Sequence, residues 1–239
     1  MVYLLELNSK EVDRYRRSVL VIPFAAIENH GPLPIGTDIM IAKCIIEKII
    51  DKYNRRIVIA PITTVTISVE HMGMDATVSV SSTTFMSYAL ELLKGYARIF
   101  NRILLIAFHG GVYHALILLA REIRNEIGSY IDIFSPFEVI EQYLKSLYNI
   151  SNIVIHADCI EASLLLACEY KNCNIIEKSK YEVLNELRKE RYDVPKPWIW
   201  RDVFSKYCTN RIIASKDLGI ELLTRVINSL CEKIEKIAY

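Results

Sequence analysis

Glu28-Asn29-His30-Gly31-Pro32-Leu33-Pro34-Ile35-Gly36-Thr37-Asp38 is the stretch on which the reading of this chain turns. The apolar run Val19 to Ile27 leads into it with the pattern of a buried strand, and the apolar-periodic Ile39 to Ile50 leads out of it as a helix. Between them stand a carboxylate, an imidazole and a second carboxylate, separated by Gly and Pro. Glu28 and His30 are two apart, so an extended backbone sends both side chains from one face. Thr37 is placed to cap the following helix, with Asp38 in its first turn. The loop therefore brings three hard or borderline ligands toward one point at a strand's carboxyl end, where open α/β sheets place their sites. It reads as one half of a metal centre.

Outward from this stretch, strand-like runs alternate with helix-like segments. Ile57 to Thr66 reads as a strand, and Thr83 to Ile99 as a helix capped by Ser81 or Ser82. Ile103 to Phe108 and Tyr130 to Phe134 read as further strands, followed by helices over Val112 to Ile127 and Phe137 to Leu147. This alternation predicts an α/β fold, a mainly parallel central sheet covered by helices. Beyond Ser151 the pattern loosens. Ile153 to Ile155 is expected as a short strand and Ile160 to Tyr170 as a helix. A charged segment over Lys178 to Arg191 then precedes a Pro-broken loop, Asp193 to Trp200, and the chain closes with a helix from Lys216 to about Ile237. With no repeat or linker in view, the expectation is one domain over residues 1–239.

Composition excludes several classes of function. The 239 residues are 52% apolar and carry 29 basic against 28 acidic side chains, a net charge of +1. That balance gives no electrostatic reason to expect a nucleic-acid or membrane-surface partner. No apolar run approaches the ~20 residues needed to span a bilayer. The first residues, MVYLLELNSKEVDRYRR, lack an uninterrupted apolar core and a small-residue cleavage site, so a cytoplasmic protein without a secretory leader is expected. The six cysteines (Cys44, Cys159, Cys168, Cys173, Cys208 and Cys231) follow no zinc-ribbon or CxxC spacing and are expected to be core thiols rather than a disulfide framework. A single glutamine, Gln142, among many charged residues leans toward a thermophile composition.

The five histidines carry most of the remaining information. His109 follows the strand-like Ile103 to Phe108 and opens His109-Gly110-Gly111 before a helix. The two glycines permit a tight turn and close backbone approach, and the first helical amides can face an anion or an oxyanion. His156 opens His156-Ala157-Asp158-Cys159-Ile160-Glu161, which places Glu161 on the first turns of the next helix and Asp158 at its cap. His114 lies inside an apolar helix and reads as a packing residue or a helix-face hydrogen-bond partner rather than a catalytic one. Three strand-to-helix junctions thus carry His or carboxylate groups, and in a parallel sheet such junctions share one edge. Carboxylate oxygen with imidazole nitrogen suits Zn, Mn or Fe(II). GxGxxG, GxxxxGK(S/T) and GxSxG are all absent, which removes the usual signals of dinucleotide, P-loop and nucleophile-elbow sites.

Read together, these blocks resemble the creatininase family of metal-dependent amidohydrolases. Glu28-x-His30-Gly31-Pro32-Leu33-Pro34 with Thr37-Asp38 is similar to the family's E-x-H-G-P-H-L-P-x-x-T-D. Glu70-His71-Met72-Gly73 with Thr77 is similar to its E-H and P-G-T segment, His109-Gly110-Gly111 to its G-H-G-G-N, and His156-Ala157 with Glu161-Ala162-Ser163 to its H-A-G-x-x-E-T-S. Ala214-Ser215-Lys216-Asp217-Leu218-Gly219 is a weaker echo of a C-terminal A-T-x-x-x-G. The likeness implies an α/β/α sandwich and two divalent ions per chain. Glu28 and His109 would serve one ion and His30 the other, with Asp38 bridging. His156 would act in the substrate pocket as a proton shuttle or hydrogen-bond partner, Glu161 as a ligand or orienting carboxylate, and His71, Gly110 and Gly111 near substrate or oxyanion. It also implies a homo-oligomer, dimer or hexamer, acting on a small molecule.

The sequence departs from the family in instructive places. Its first block is one residue short, because the second His of the family pattern is missing after Pro32. Val112 stands for the asparagine of H-G-G-N, Gly111 for a glutamate that creatinine hydrolases carry, and Asp75-Ala76 for Pro-Gly. Creatinine is therefore a poor match. The Glu28-Asn29-His30-Gly31 wording is instead similar to an archaeal branch that deformylates a formylaminopyrimidine ribonucleotide on the flavin and deazaflavin (F420) route, the expected activity. Hydrolysis of another cyclic or linear amide, or a non-catalytic metal- or nucleotide-binding role, are the alternatives. Lys196, Trp198, Trp200 and Arg201 are candidates for contacting a phosphate or ring, with both tryptophans equally suited to be core or interface anchors.

Overall fold

The computed structural model describes residues 2–50, 57–172, 174–189 and 198–238. Four strands build the central sheet: β1 (Val19–Phe24), β2 (Ile57–Ile59), β3 (Arg102–Ala107) and β4 (Tyr130–Phe134). They are parallel throughout, in the order β2-β1-β3-β4. β1 is buried along its whole length, as a strand covered on both faces must be. Pro23 is tolerated in this interior strand because β2 ends early. The Pro23 carbonyl accepts from the Thr63 amide on that side, so its missing N–H interrupts no ladder.

Alternate residues of the strands feed two cores, the period-2 consequence of the pleat. Val19 and Val21 face one core, together with Leu104 and Ile106. That core is closed by α2 (Thr37–Ile50), α5 (Pro136–Tyr148), α6 (Cys159–Ala167), α7 (Lys180–Lys189) and α8 (Lys216–Ala238). Leu20, Ile22 and Phe24 face the other, with Ile103 and Leu105, under α3 (Ser82–Ala97) and α4 (Gly110–Ile127). A short α1 (Ser9–Tyr15), capped by Asn8, packs Val12 and Tyr15 on the same side. Helices on both sides of a parallel sheet is the architecture that the alternation predicts. Ser81 caps α3 and Asp158 caps α6, as expected.

Several local expectations are corrected. The strand expected from Ile57 to Thr66 stops at Ile59, shortly before Pro61. Ile153 to Ile155 is not a strand. The buried Lys206 ammonium donates to the Val154 carbonyl at 2.7 Å and lies 3.4 Å from that of His156, fixing this segment through a side chain instead of a ladder. Two short parallel strands, β5 (Ile175–Glu177) and β6 (Ile212–Ala214), form a separate small sheet that the sequence did not signal. Thr37 begins α2 without capping it. Its hydroxyl donates to the Pro34 carbonyl at 2.6 Å, which closes the loop, while Asp38 does fall in the first turn.

The cysteine expectation also fails in part. Cys44 on α2 and Cys168 at the end of α6 form a disulfide with Cα atoms 5.9 Å apart, closing a separation of 124 residues. Helix packing brings the two together, and no local spacing encodes it. Cys159 and Cys231 are buried free thiols as expected, whereas the free Cys208 is exposed. Cys173 and Lys196 lie outside the described residues. Among the described residues no helix is long and apolar enough to cross a membrane.

Candidate metal centre

The carboxyl edge of the sheet gathers the groups that the sequence flagged. Glu28 and His30 follow β1, Asp38 lies in the first turn of α2, and His109 directly precedes α4 in the β3–α4 connection. His71 ends a 3-10 helix (Val69–His71) in the β2–α3 connection, and His156 and Glu161 flank the start of α6. All seven side chains are buried. The third junction converges although no strand precedes it. Ala157 adopts a left-handed φ of 50°, a strained setting for alanine, and its amide donates to Glu161 Oε2 at 2.6 Å.

Tautomer logic shows where the imidazole lone pairs point. His30 Nδ1 lies 3.0 Å from the Glu28 carbonyl, His109 Nε2 2.8 Å from the Ile67 carbonyl, and His156 Nε2 2.9 Å from the Asn29 carbonyl. A carbonyl only accepts, so each of these outward nitrogens carries the proton and donates it. In the neutral ring the inward nitrogen then presents a lone pair. The inward atoms meet carboxylates. His109 Nδ1 is 3.1 Å from Glu28 Oε1 and 3.5 Å from Asp38 Oδ2. His30 Nε2 is 3.4 Å from Asp38 Oδ1 and 3.6 Å from Glu161 Oε1. His71 Nε2 and His156 Nδ1 are 3.5 and 3.4 Å from Glu28 Oε1.

These separations suit a cation. Ligand atoms about 2.1 Å from one tetrahedral ion stand about 3.4 Å apart. Glu28 Oε1, His30 Nε2 and Asp38 Oδ2 are buried with no hydrogen-bond partner, a costly state unless a metal is the missing partner. Three sets of residues bring ligand atoms within 4.8 Å of one another: Glu28, Asp38 and His109; His30, His156 and Glu161; and Glu28, His71 and His156. The donor set therefore fits divalent metal.

Electrostatics without a cation reveal the strain of packing these charges together. Burial and the Glu28 charge outweigh the nearby imidazoles and raise Asp38 to about 6. Burial alone would raise Glu28, but His109, His156 and His71 hold it well below the usual carboxylate range, and Ser68 donates its hydroxyl to Oε2. Burial would lower His30 and His109, yet the carboxylates around them raise both well above a free imidazole. His156 goes the other way, lowered by burial and by the neighbouring His30 and His71.

One residue of the site's wall, Tyr207, was not legible beforehand. Tyr207 places its hydroxyl 2.7 Å from His71 Nδ1, and burial beside Glu28, Glu161 and Glu70 raises its pKa far above normal, so it stays protonated. Trp198 sets its ring 5.3 Å from His71 and 5.9 Å from His156 (centroid distances), so it borders the imidazoles. Trp200 instead packs on Phe204, with the Arg201 guanidinium over its ring. His114 is exposed beside Tyr113. The glycines after His109 have ordinary φ, and Gly111 is required by packing rather than by a turn. Asn29 joins the first two sequence blocks: its amide N–H donates to Thr77 Oγ1 and its side chain to the Asp75 carbonyl. Ala76, between them, holds φ 63°, where glycine is at ease.

A parallel sheet with buried carboxylates and imidazoles at its carboxyl edge defines a metal-dependent hydrolase class of site. The chain belongs to the creatininase family, whose model, described as creatinine amidohydrolase, matches residues 5–234. The members of this family are metal-dependent amidohydrolases, acting on C–N bonds. Solved structures agree on the fold. A creatininase described with Mn is 17% identical with TM-score 0.70, covering 99% of this chain and 98% of that one. A mutant creatininase of Zn-Zn type is 16% identical with TM-score 0.69, covering 98% of both. A protein described as a creatinine amidohydrolase of Bacteroides fragilis NCTC 9343 is 18% identical with TM-score 0.67, covering 99% and 96%. Among curated proteins, none matches the sequence significantly.

Proposed function

We propose that this chain is a two-metal amidohydrolase that releases formate from a formylaminopyrimidine ribonucleotide. The observation that carries the reaction class is the inward convergence of imidazole lone pairs and carboxylates on atoms left without hydrogen bonds. Glu28, Asp38 and His109 would hold one ion, and His30, Asp38 and Glu161 the second. Bound metal would supply a lowered pKa for water and polarisation of the amide carbonyl.

The chain's own residues do the rest. His156 and His71 face Glu28 and can hold a proton for the leaving nitrogen, with the Tyr207 hydroxyl behind His71 at Nδ1. The first amides of α4, at Gly110 and Gly111, are available to an oxyanion. Trp198 offers a flat face beside the imidazoles, suited to a planar ring. The substrate itself rests on the Glu28-Asn29-His30-Gly31 wording, since the relatives named above are creatininases.

Formate release is the test. Metal-free protein is loaded with Fe(II), Mn(II) or Zn(II) and mixed with the nucleotide, and formate is measured. Metal-dependent formate supports the proposal. Metal uptake without formate, but with hydrolysis of another amide in a panel including creatinine, overturns the substrate and keeps the class. In an active preparation, Asp38→Ala should lose metal and lower turnover by at least about 10³-fold, the scale of losing a main electrostatic stabiliser.

A further inference from the structure

We propose that Glu70 is the positioning carboxylate of His109, and that residue 111 is glycine because Glu70 reaches His109 through the space a side chain there would fill. This rests on the metal reading above. His109 turns Nδ1 inward to Glu28 and Asp38 and Nε2 outward. The outward nitrogen has two acceptors, the Ile67 carbonyl at 2.8 Å and Glu70 Oε1 at 3.2 Å. A carbonyl alone fixes the tautomer. A carboxylate adds negative charge on the far side of the ring, which makes the inward nitrogen a stronger donor to a cation and resists ring rotation.

The local fold is built for this contact. Glu70 and His71 are adjacent in the Val69–His71 helix, and they reach opposite sides of the cluster: His71 meets Glu28 inside, and Glu70 meets the outer edge of His109. Glu70 keeps 14% of its side chain accessible, whereas Glu28, Asp38 and Glu161 are sealed. A Cβ on Gly111 would sit 2.3 Å from Glu70 Oε1, 2.5 Å from His109 Nε2 and 2.8 Å from the Ile67 carbonyl. The three partners of this hydrogen-bond cluster thus converge on one glycine. Gly110, next door, has nothing within 4 Å of the same position. Of the two glycines after His109, Gly111 alone is sterically required.

The test is Zn(II) affinity of the full chain by competition with a chelator, for wild type, Glu70→Gln and Glu70→Ala, together with metal-free melting and the ¹⁵N shifts of the His109 ring. Glu70→Gln keeps size and an acceptor, so folding is preserved while the charge is lost. Zn(II) binding should weaken roughly 10- to 100-fold in Glu70→Ala and by a smaller factor in Glu70→Gln, with metal-free melting unchanged. In metal-free Glu70→Ala the His109 ring ¹⁵N shifts should move with the lost charge, while the Nε2–H donated to the Ile67 carbonyl is kept. Affinities within twofold of wild type in both variants would overturn the role of Glu70 alone. No Zn(II) uptake by the wild type would overturn the metal reading and this role with it.

Discussion

Gly219→Ala tests the packing that carries Glu161 into the site. Gly219 lies near the start of α8, where that helix crosses α6 at closest approach. A Cβ there would stand 1.9 Å from the Ser163 carbonyl oxygen, 2.5 Å from its carbon and 3.0 Å from Ala167 Cβ. Two of these are backbone atoms of α6, so no rotamer relieves the clash. Ser163 cannot yield either, because its hydroxyl donates to the Cys159 carbonyl and accepts from the Ser215 amide. Bringing the shortest contact to 3.4 Å requires the helices to part by about 1.5 Å. A gap of that size forfeits well over half of the dispersion energy at each facing contact. Ile160, Leu164, Leu218 and Leu222 pack in this core. The expected loss is about 3 kcal/mol or more, the top of the range for overpacking. For a chain of this length that is a fall in melting temperature of roughly 6–12 °C. Gly95→Ala is the matched control. Its Cβ meets nothing within 4 Å in the last turn of α3, so the substitution should stabilise by at most about 0.5–1 kcal/mol. Scanning calorimetry of both metal-free variants reads the difference. A Gly219→Ala melt within 2 °C of wild type would refute the close approach of α6 and α8.

Three further outcomes are expected. Reducing the Cys44–Cys168 disulfide, or making Cys44→Ser, removes a cross-link over a 124-residue separation. The loss should approach about 4–5 kcal/mol in the chain-entropy picture, so an unchanged melt with reductant would contradict it. Asp38, at about 6 without metal, must give up a proton to bind a cation. Zn(II) affinity should therefore fall at least tenfold per pH unit below about pH 6, since the raised His30 and His109 imidazoles must shed protons as well, and titrations at pH 7.5 and 5 that agree would contradict this. In the metal-free fold the sign reverses: a raised carboxyl favours the folded state only while protonated, so the Asp38 contribution to stability is lost as pH rises through about 6. Glu221 accepts from Tyr143, Tyr148 and Lys180, and so ties α5, α7 and α8 together. Glu221→Ala should cost about 1–3 kcal/mol in urea unfolding, and no change in the urea midpoint would remove that role.

How much of this was legible in the sequence follows from which signals are local. Alternating apolar runs encode strands and helices, so β1, β3 and β4 were readable, and the ligand loop after β1 was readable from spacing. Ile175-Ile176-Glu177 and Ile212-Ile213-Ala214 are three-residue strands, too short to show a period. The Tyr207 contact with His71 joins residues 136 apart, and the disulfide joins residues 124 apart; neither leaves a mark on its neighbours. Glu70 was visible as part of a motif, but its reach to His109 depends on the space at Gly111. Ile153 to Ile155 misled because an apolar run reads as strand whether a neighbouring strand or a buried lysine takes its carbonyls.

Metal stoichiometry is the most direct measurement. Metal-free protein at pH 7.5 is titrated with Zn(II) or Mn(II), and bound metal is counted by elemental analysis after desalting, beside Asp38→Ala. A two-metal centre predicts two ions per chain in the wild type and at most one in the variant. Wild-type protein that retains less than one ion under any divalent metal would contradict the central claim.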